Sequence, residues 1–211
     1  MIIPYGEEAL RAAAEVISAG GVIAFRTDTF YGLGADPFNR RAVSAVRTLK
    51  GRDDGKPILV VIGDESEAER FFASDSPLQR AIRQRHWPGP LTIVAPARDE
   101  VPEELTAGTG TIGVRLPEDE QLRSFIRACG GALTATSANL AGEPPARDAE
   151  AVARSFPVGL ELIVDGGEAR GDKPSTVLGV GRASATLIRD GAVTRRELLE
   201  SLRTVGAELE G

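Results

Sequence analysis

Arg26-Thr27-Asp28-Thr29-Phe30-Tyr31-Gly32-Leu33-Gly34-Ala35-Asp36 follows directly on the apolar run Gly21 to Phe25, and Lys50-Gly51-Arg52-Asp53-Asp54-Gly55-Lys56-Pro57 comes shortly after. The apolar run reads as a buried strand. Hydroxyls, a carboxylate and two glycines stand where that strand ends, and in an α/β sheet the carboxyl ends of strands are where ligands sit.

Outward from this stretch, helical and strand-like patterns alternate. Glu7 to Gly20 carries Leu10, Ala13, Ala14, Val16 and Ile17 at helical spacing behind two acids. Arg40 to Lys50 repeats that spacing. Pro57 to Ile62 is uniformly apolar and predicts a central strand covered on both faces. Ser76-Pro77 is an N-cap followed by proline at the first helical position, and the helix it opens is stopped after His86 by Trp87-Pro88-Gly89-Pro90. Leu91 to Ala95 and Ile112 to Leu116 read as strands around the Gly/Thr-rich loop Thr106 to Thr111. Glu118 to Cys129 reads as a helix, Ala132 to Thr136 as a strand, Asp148 to Phe156 as a helix and Leu160 to Val164 as a strand. Ser175 to Val180 and Thr186 to Ile188 predict a β-pair. Thr194-Arg195-Arg196-Glu197 is a capping-box pattern ahead of a last helix. The class expected is α/β: a twisted mixed sheet with helices on both sides, residues 1–211 forming one domain in which 192–211 are a short helical tail.

Composition narrows the function. The chain has 211 residues, is 42% hydrophobic and carries a formal charge of −6, a field that repels nucleic acid and anionic membrane unless a local basic groove overrides it. One cysteine, Cys129, excludes an internal disulfide framework and reads as a core thiol on a helix face with Leu122, Phe125 and Ile126. The N-terminus lacks a basic region followed by an apolar one, and no 18 apolar residues run together, so the expected compartment is the cytoplasm.

Common catalytic signatures fail. Gly108-Thr109-Gly110-Thr111-Ile112-Gly113 has the spacing of a dinucleotide fingerprint, but a loop precedes it and a strand follows it, whereas the fingerprint must open a helix. His86 is the lone histidine and abuts Trp87-Pro88, which reads as packing or capping and removes Ser-His-Asp catalysis. The remaining polar residues are cations and hydroxyls at strand ends. Lys50, Arg52 and Lys56 fit either a solvated loop or a polyphosphate site. Arg115, in an otherwise apolar strand, needs a carboxylate or phosphate partner, internal or bound. Ser137-Ala138-Asn139, Pro174-Ser175-Thr176-Val177 and Arg189-Asp190-Gly191 fit turn chemistry or ligand binding. Many donors and few bases suit the positioning and neutralisation of anions, the profile of nucleotidyl transfer.

Taken in order, Thr27-Asp28-Thr29-Phe30-Tyr31-Gly32-Leu33-Gly34, Lys50-x-Arg52, Lys56-Pro57, Val114-Arg115-Leu116-Pro117, Thr136-Ser137-Ala138-Asn139, Pro174-Ser175-Thr176-Val177 and Arg189-x-Gly191 resemble the YrdC-type threonylcarbamoyladenylate synthases over about residues 7 to 191. The resemblance implies a YrdC-like fold with a large open cleft. It implies an enzyme that forms threonylcarbamoyl-AMP and pyrophosphate from L-threonine, bicarbonate and ATP, for threonylcarbamoyladenosine formation in tRNA by a partner transferase complex. By position, Thr29, Arg115, Ser137 and Ser175 bind threonine. Arg52, Lys56, Thr111, Asn139, Arg147 and Arg189 bind ATP, and Lys50 and Arg52 are catalytic beside the phosphates. ATP is substrate, Mg²⁺ arrives with it, no cofactor is tightly held and no protein metal site is implied. Direct tRNA binding is expected to be weak or absent, and membrane binding absent. Asp28 reads as an orienter of its loop or of a nearby cation. Two departures stand out: Val61 occupies a position where many relatives carry a histidine near the threonine site, and the chain has at most one helix where longer relatives have a closing C-terminal domain. The alternatives are a related carbamoyl-adenylate-forming enzyme, which the single cysteine disfavours, and an RNA-binding module of the same fold, which the charge and the 5% aromatic content disfavour.

Overall fold

A computed structural model describes residues 1–51, 55–140, 142–169, 171 and 173–210. The chain begins with β1 (Ile2–Pro4), α1 (Glu7–Ser18), β2 (Ile23–Arg26), β3 (Tyr31–Gly34), α2 (Arg40–Leu49) and β4 (Leu59–Ile62). After a 3₁₀ turn at Glu65–Arg70 come α3 (Pro77–His86), β5 (Leu91–Pro96), the one-turn α4 (Glu103–Thr106), β6 (Thr111–Arg115), α5 (Glu120–Ala128) and β7 (Ala132–Ser137). It ends with α6 (Ala149–Ser155), β8 (Leu162–Asp165), β9 (Thr176–Val180), β10 (Ser184–Arg189), α7 (Arg195–Arg203) and β11 (Glu208–Glu210).

Local chemistry sets the helix starts. Asn39, Asp119 and Asp148 each accept backbone N–H bonds at the ends of α2, α5 and α6, Ser76 caps α3 ahead of Pro77, and Thr194 with Glu197 forms the capping box of α7. The strands form one eleven-stranded mixed sheet in the order β1-β8-β2-β3-β7-β4-β6-β5-β9-β10-β11. It is the expected α/β class.

Period-2 alternation assigns the side chains of each strand to two faces. On one face Tyr31, Leu33, Val60, Ile62, Ile93, Ile112, Val114 and Leu178 pack under α2, α3, α6 and α7, through residues such as Val43, Val46, Ile82, Val152, Leu198 and Leu202. On the other, Ile23, Phe25, Val61, Leu133, Leu162 and Val164 pack under α1 and α5, with the Phe25 and Phe125 rings 5.4 Å apart. That second cover ends near β4. Beyond it, over β6, β5 and β9, the same face is open.

Beside β1 and α4, for which no local pattern was read, three elements differ from the sequence expectation. Tyr31–Gly34 is a strand, hydrogen-bonded antiparallel to β2, rather than part of a turn. Gly34 is required by packing: a Cβ there would lie 2.6 Å from the Phe25 ring. Pro57 to Ile62 is central, but only β4 of it is strand, and it lies where the α1/α5 cover stops, so Val61 is buried yet borders the open face. The tail is not only helical: β11 returns to pair in parallel with β10. His86 closes α3 and its Nε2 meets Ser201 Oγ of α7 at 2.8 Å, the packing role expected of it. Cys129 sits in the α1/α5 core, where burial pushes its thiol up to about 12. No helix among the described residues is long and apolar enough to cross a membrane.

Candidate functional site

The open part of the sheet face is the floor of a cleft of about 700 Å³, within the range of ligand sites. Register builds its central row. Val61 aligns with Arg115, Ile93 with Val114 and Thr92 with Val177, so Val61, Arg115, Thr92 and Val177 cross four neighbouring strands side by side, and all four line the cleft. Gly113, two residues before Arg115, shares that face. A Cβ there would meet Leu59 Cδ2 at 2.4 Å, so only glycine lets Leu59 and Thr92 close over β6. Thr111 lies on the same face a further two residues back, roughly 13 Å from Arg115 by strand rise.

The turn Thr27–Phe30 forms one wall. The Thr27 hydroxyl donates to the Phe30 carbonyl at 2.6 Å and accepts from the Thr29 and Phe30 amides, a turn held by its own side chain. It delivers Asp28 to Arg115: Nη1 and Nη2 donate to the two carboxylate oxygens at 3.2 and 2.6 Å. Arg115, whose side chain is 7% exposed, therefore has an internal partner, and Asp28 is the orienter of a cation. Thr29, on the same turn, lines the cleft.

Opposite lie Ser175 and Arg189. Arg189 donates to the Ser175 carbonyl at 2.8 Å and to its hydroxyl at 3.1 Å, and Ser175 Oγ is 2.9 Å from Thr92 Oγ1. Burial, and after it the Arg115 cation, lowers the Arg189 pKa. Two arginines held near one another over a hydroxyl-rich floor form an anion site. Among the described residues that line the cleft, Lys56, Arg115 and Arg189 are cationic and none carries a carboxylate, in a chain of net charge −6. The local groove opposes the global charge. Among the described residues no group of three or more His, Cys, Asp or Glu is placed to hold a metal ion.

The residues singled out in the sequence separate into those on the cleft and those behind it. Thr29, Lys56, Arg115, Ser137, Ser175 and Arg189 line it together. Lys50 does not: it is 2% exposed, and its ammonium donates to the carbonyls of Ser137 and Asn139 at 2.6 and 2.7 Å and to Asn139 Oδ1 at 2.9 Å. Its ammonium pins the 137–139 loop from beneath. Asn139 is also spent inside this loop, its Oδ1 on Lys50 and Ser137 and its Nδ2 on the Leu140 and Glu143 carbonyls at 2.9 and 2.6 Å. Arg147 stands at the rim, 5.6 Å over the Phe30 ring and donating to the Gly171 carbonyl at 3.3 Å. Arg52 lies outside the described residues. Thr92 was missed, since a lone threonine in an apolar strand gives no signal until register sets it beside Arg115.

This is an α/β protein with an uncovered stretch of sheet that presents arginine, lysine and hydroxyl groups to an anionic ligand. Within that class, the family model Sua5_yciO_yrdC, described as "Telomere recombination", matches residues 15–191, and the chain belongs to that family. It is 35% identical over 190 residues to a threonylcarbamoyl-AMP synthase of Pyrococcus abyssi, covering 90% of this chain and 56% of the relative. It is 40% identical over 159 residues to one of Thiobacillus denitrificans, covering 75% of this chain and 84% of the relative. The solved P. abyssi Sua5 complexed with L-threonine superposes with a TM-score of 0.91 at 32% identity, covering 100% of this chain and 62% of that one. The chain thus spans little more than half the length of its Pyrococcus relative.

Proposed function

We propose that this chain is an ATP-using nucleotidyltransferase that forms threonylcarbamoyl-AMP and pyrophosphate from L-threonine, bicarbonate and ATP. The observation that carries the reading is the pair Arg115 and Arg189 with Ser175 on the floor of a cleft large enough for a nucleotide and an amino acid, in a chain of the family whose P. abyssi member has been solved with L-threonine.

In this reading the amino acid lies at the end bounded by Thr29, Arg115, Ser137 and Ser175, with Arg115 meeting its carboxylate. Asp28 occupies the outer edge of the guanidinium through Nη1 and Nη2, which leaves the Nε edge for that carboxylate. ATP extends towards Lys56 and Thr111, with Arg189 between the two ligands and Arg147 at the rim. The amine of threonine attacks bicarbonate, water leaves, and a carbamate forms. A carbamate oxygen then attacks the α-phosphorus and pyrophosphate leaves, its charge balanced by Arg189, Lys56, Arg52 and the magnesium that enters as part of the nucleotide substrate. Lys50 and Asn139 act by holding the Ser137 loop in place. The product feeds a tRNA threonylcarbamoyl transferase, and the cleft itself need not bind tRNA. The protein works in the cytoplasm as a single YrdC-like unit.

The test is to incubate the protein with ATP, labelled bicarbonate and a panel of amino acids. Pyrophosphate that requires threonine and bicarbonate together is the expected result. Pyrophosphate formed equally without either, or with any amino acid, overturns it.

A further inference from the structure

Thr92 has no place in the reaction described above, yet it sits at the centre of the cleft floor beside Arg115. It is 1% exposed, and among the described residues its Oγ1 has one hydrogen-bond partner, Ser175 Oγ at 2.9 Å. Ser175 Oγ also accepts from Arg189 Nη2 at 3.1 Å. Two hydroxyls in contact carry two protons, and only one can lie between them.

If Ser175 donated to Thr92, the Thr92 proton, on a side chain 1% exposed, would have no acceptor among the described residues, a loss on the scale of an unmade buried hydrogen bond. If Thr92 donates to Ser175, both lone pairs of Ser175 Oγ are filled, one by Thr92 and one by Arg189. The Ser175 proton then points away from both, into the cleft that Ser175 lines. Arg189, a donor without any acceptor capacity, cannot reverse this order.

We propose that Thr92 is a positioning residue that locks the Ser175 hydroxyl as a hydrogen-bond donor to the cleft. The subsite made by Ser175 and Arg189 then favours ligand oxygens that act as acceptors, above all a carboxylate or a phosphoryl oxygen, and rejects an ammonium, which has no lone pair to accept with. Under the activity proposed above, on which this assignment of the ligand rests, the group received is the amino-acid carboxylate. The proton order of the three side chains does not depend on that activity.

Two measurements test it. Neutron diffraction from deuterated wild-type crystals reports the proton order directly: the Thr92 deuteron is expected on the line to Ser175 Oγ, and a deuteron on the Ser175 side of that bond overturns the proposal whatever the protein catalyses. Kinetics with the full chain then separate positioning from packing. Thr92→Val keeps the shape and is expected to raise KM for threonine about tenfold, the scale of one lost hydrogen bond to a charged group, with kcat and KM for ATP within twofold. Thr92→Ser restores the hydroxyl and is expected to return KM close to wild type. A Thr92→Val enzyme with unchanged KM, or a Thr92→Ser enzyme as impaired as Thr92→Val, overturns the proposal. A wild-type protein that forms no pyrophosphate with threonine refutes the activity instead and leaves the neutron result to decide this one.

Discussion

One face of the sheet is used in two ways. Over β8, β2 and β7 it presents Leu162, Val164, Ile23, Phe25 and Leu133 to α1 and α5, and every one is buried. Over β6, β5 and β9 it presents Arg115, Thr92 and Val177 to a cleft, with Ser175 just ahead of β9. The reverse face is the same apolar core throughout, with Val114, Ile112, Ile93 and Leu178 continuing the row of Val60 and Leu33. A strand can thus be fully anchored through one set of alternating residues while the other set is free to carry chemistry. Stability and function are divided between the two halves by which positions a helix covers.

That division can be tested from both sides. The largest effect is expected in the covered half. Phe125→Ala removes a buried ring packed tilted against Phe25 and should cost about 3–5 kcal/mol of stability, read by denaturant unfolding, while pyrophosphate formation per folded molecule stays near wild type. A variant that unfolds normally would break the comparison. In the open half the loss should fall on function. Arg115→Ala removes the central cation and should lower threonine-dependent turnover on the order of 100-fold. It should change the unfolding midpoint little, because the Asp28 side chain left behind is 23% exposed and can be hydrated. An Arg115→Ala protein that loses stability as heavily as Phe125→Ala would show that the arginine holds the fold rather than the ligand.

The smallest effect sharpens the covered half further. Cys129 has its pKa raised by burial from 9.0 to about 12, so the native state keeps its proton while the unfolded chain loses it. The stability it contributes is complete below pH 9 and is lost as pH rises from there towards 12, at about 1.4 kcal/mol per unit. Unfolding measured at pH 8 and pH 10 should show a fall that Cys129→Ala reduces. An unchanged slope in that variant would place the alkaline loss elsewhere.

Much of this organisation was legible in the residues. The N-cap at Ser76, the capping box at Thr194 and the helical spacing of α1, α2 and α5 are local signals, and the helices lie where those signals put them. So are the cations and hydroxyls at strand ends, most of which meet in the cleft. The failures were of two kinds. Gly32 and Gly34 concealed β3, and the reason for glycine at 34 is a Phe25 ring packed across the strand pair. Lys50 and Asn139 make contacts that no local pattern announced, because a polar side chain in a loop gives no sign of which backbone or side-chain groups it will meet.

By itself the sequence determined most of the elements, the α/β class and the stock of anion-binding side chains, since helix caps, periodicity and residue chemistry act within a few residues along the chain. Only the tertiary structure decided which of those side chains share a surface. Strand order and register put Val61, Arg115, Thr92 and Val177 in one row, brought Asp28 to Arg115 across 87 residues and buried Lys50 under a loop 87 residues away. Those pairings are settled by which strands lie together and where a helix stops covering them, and neither is encoded in any short stretch of the chain.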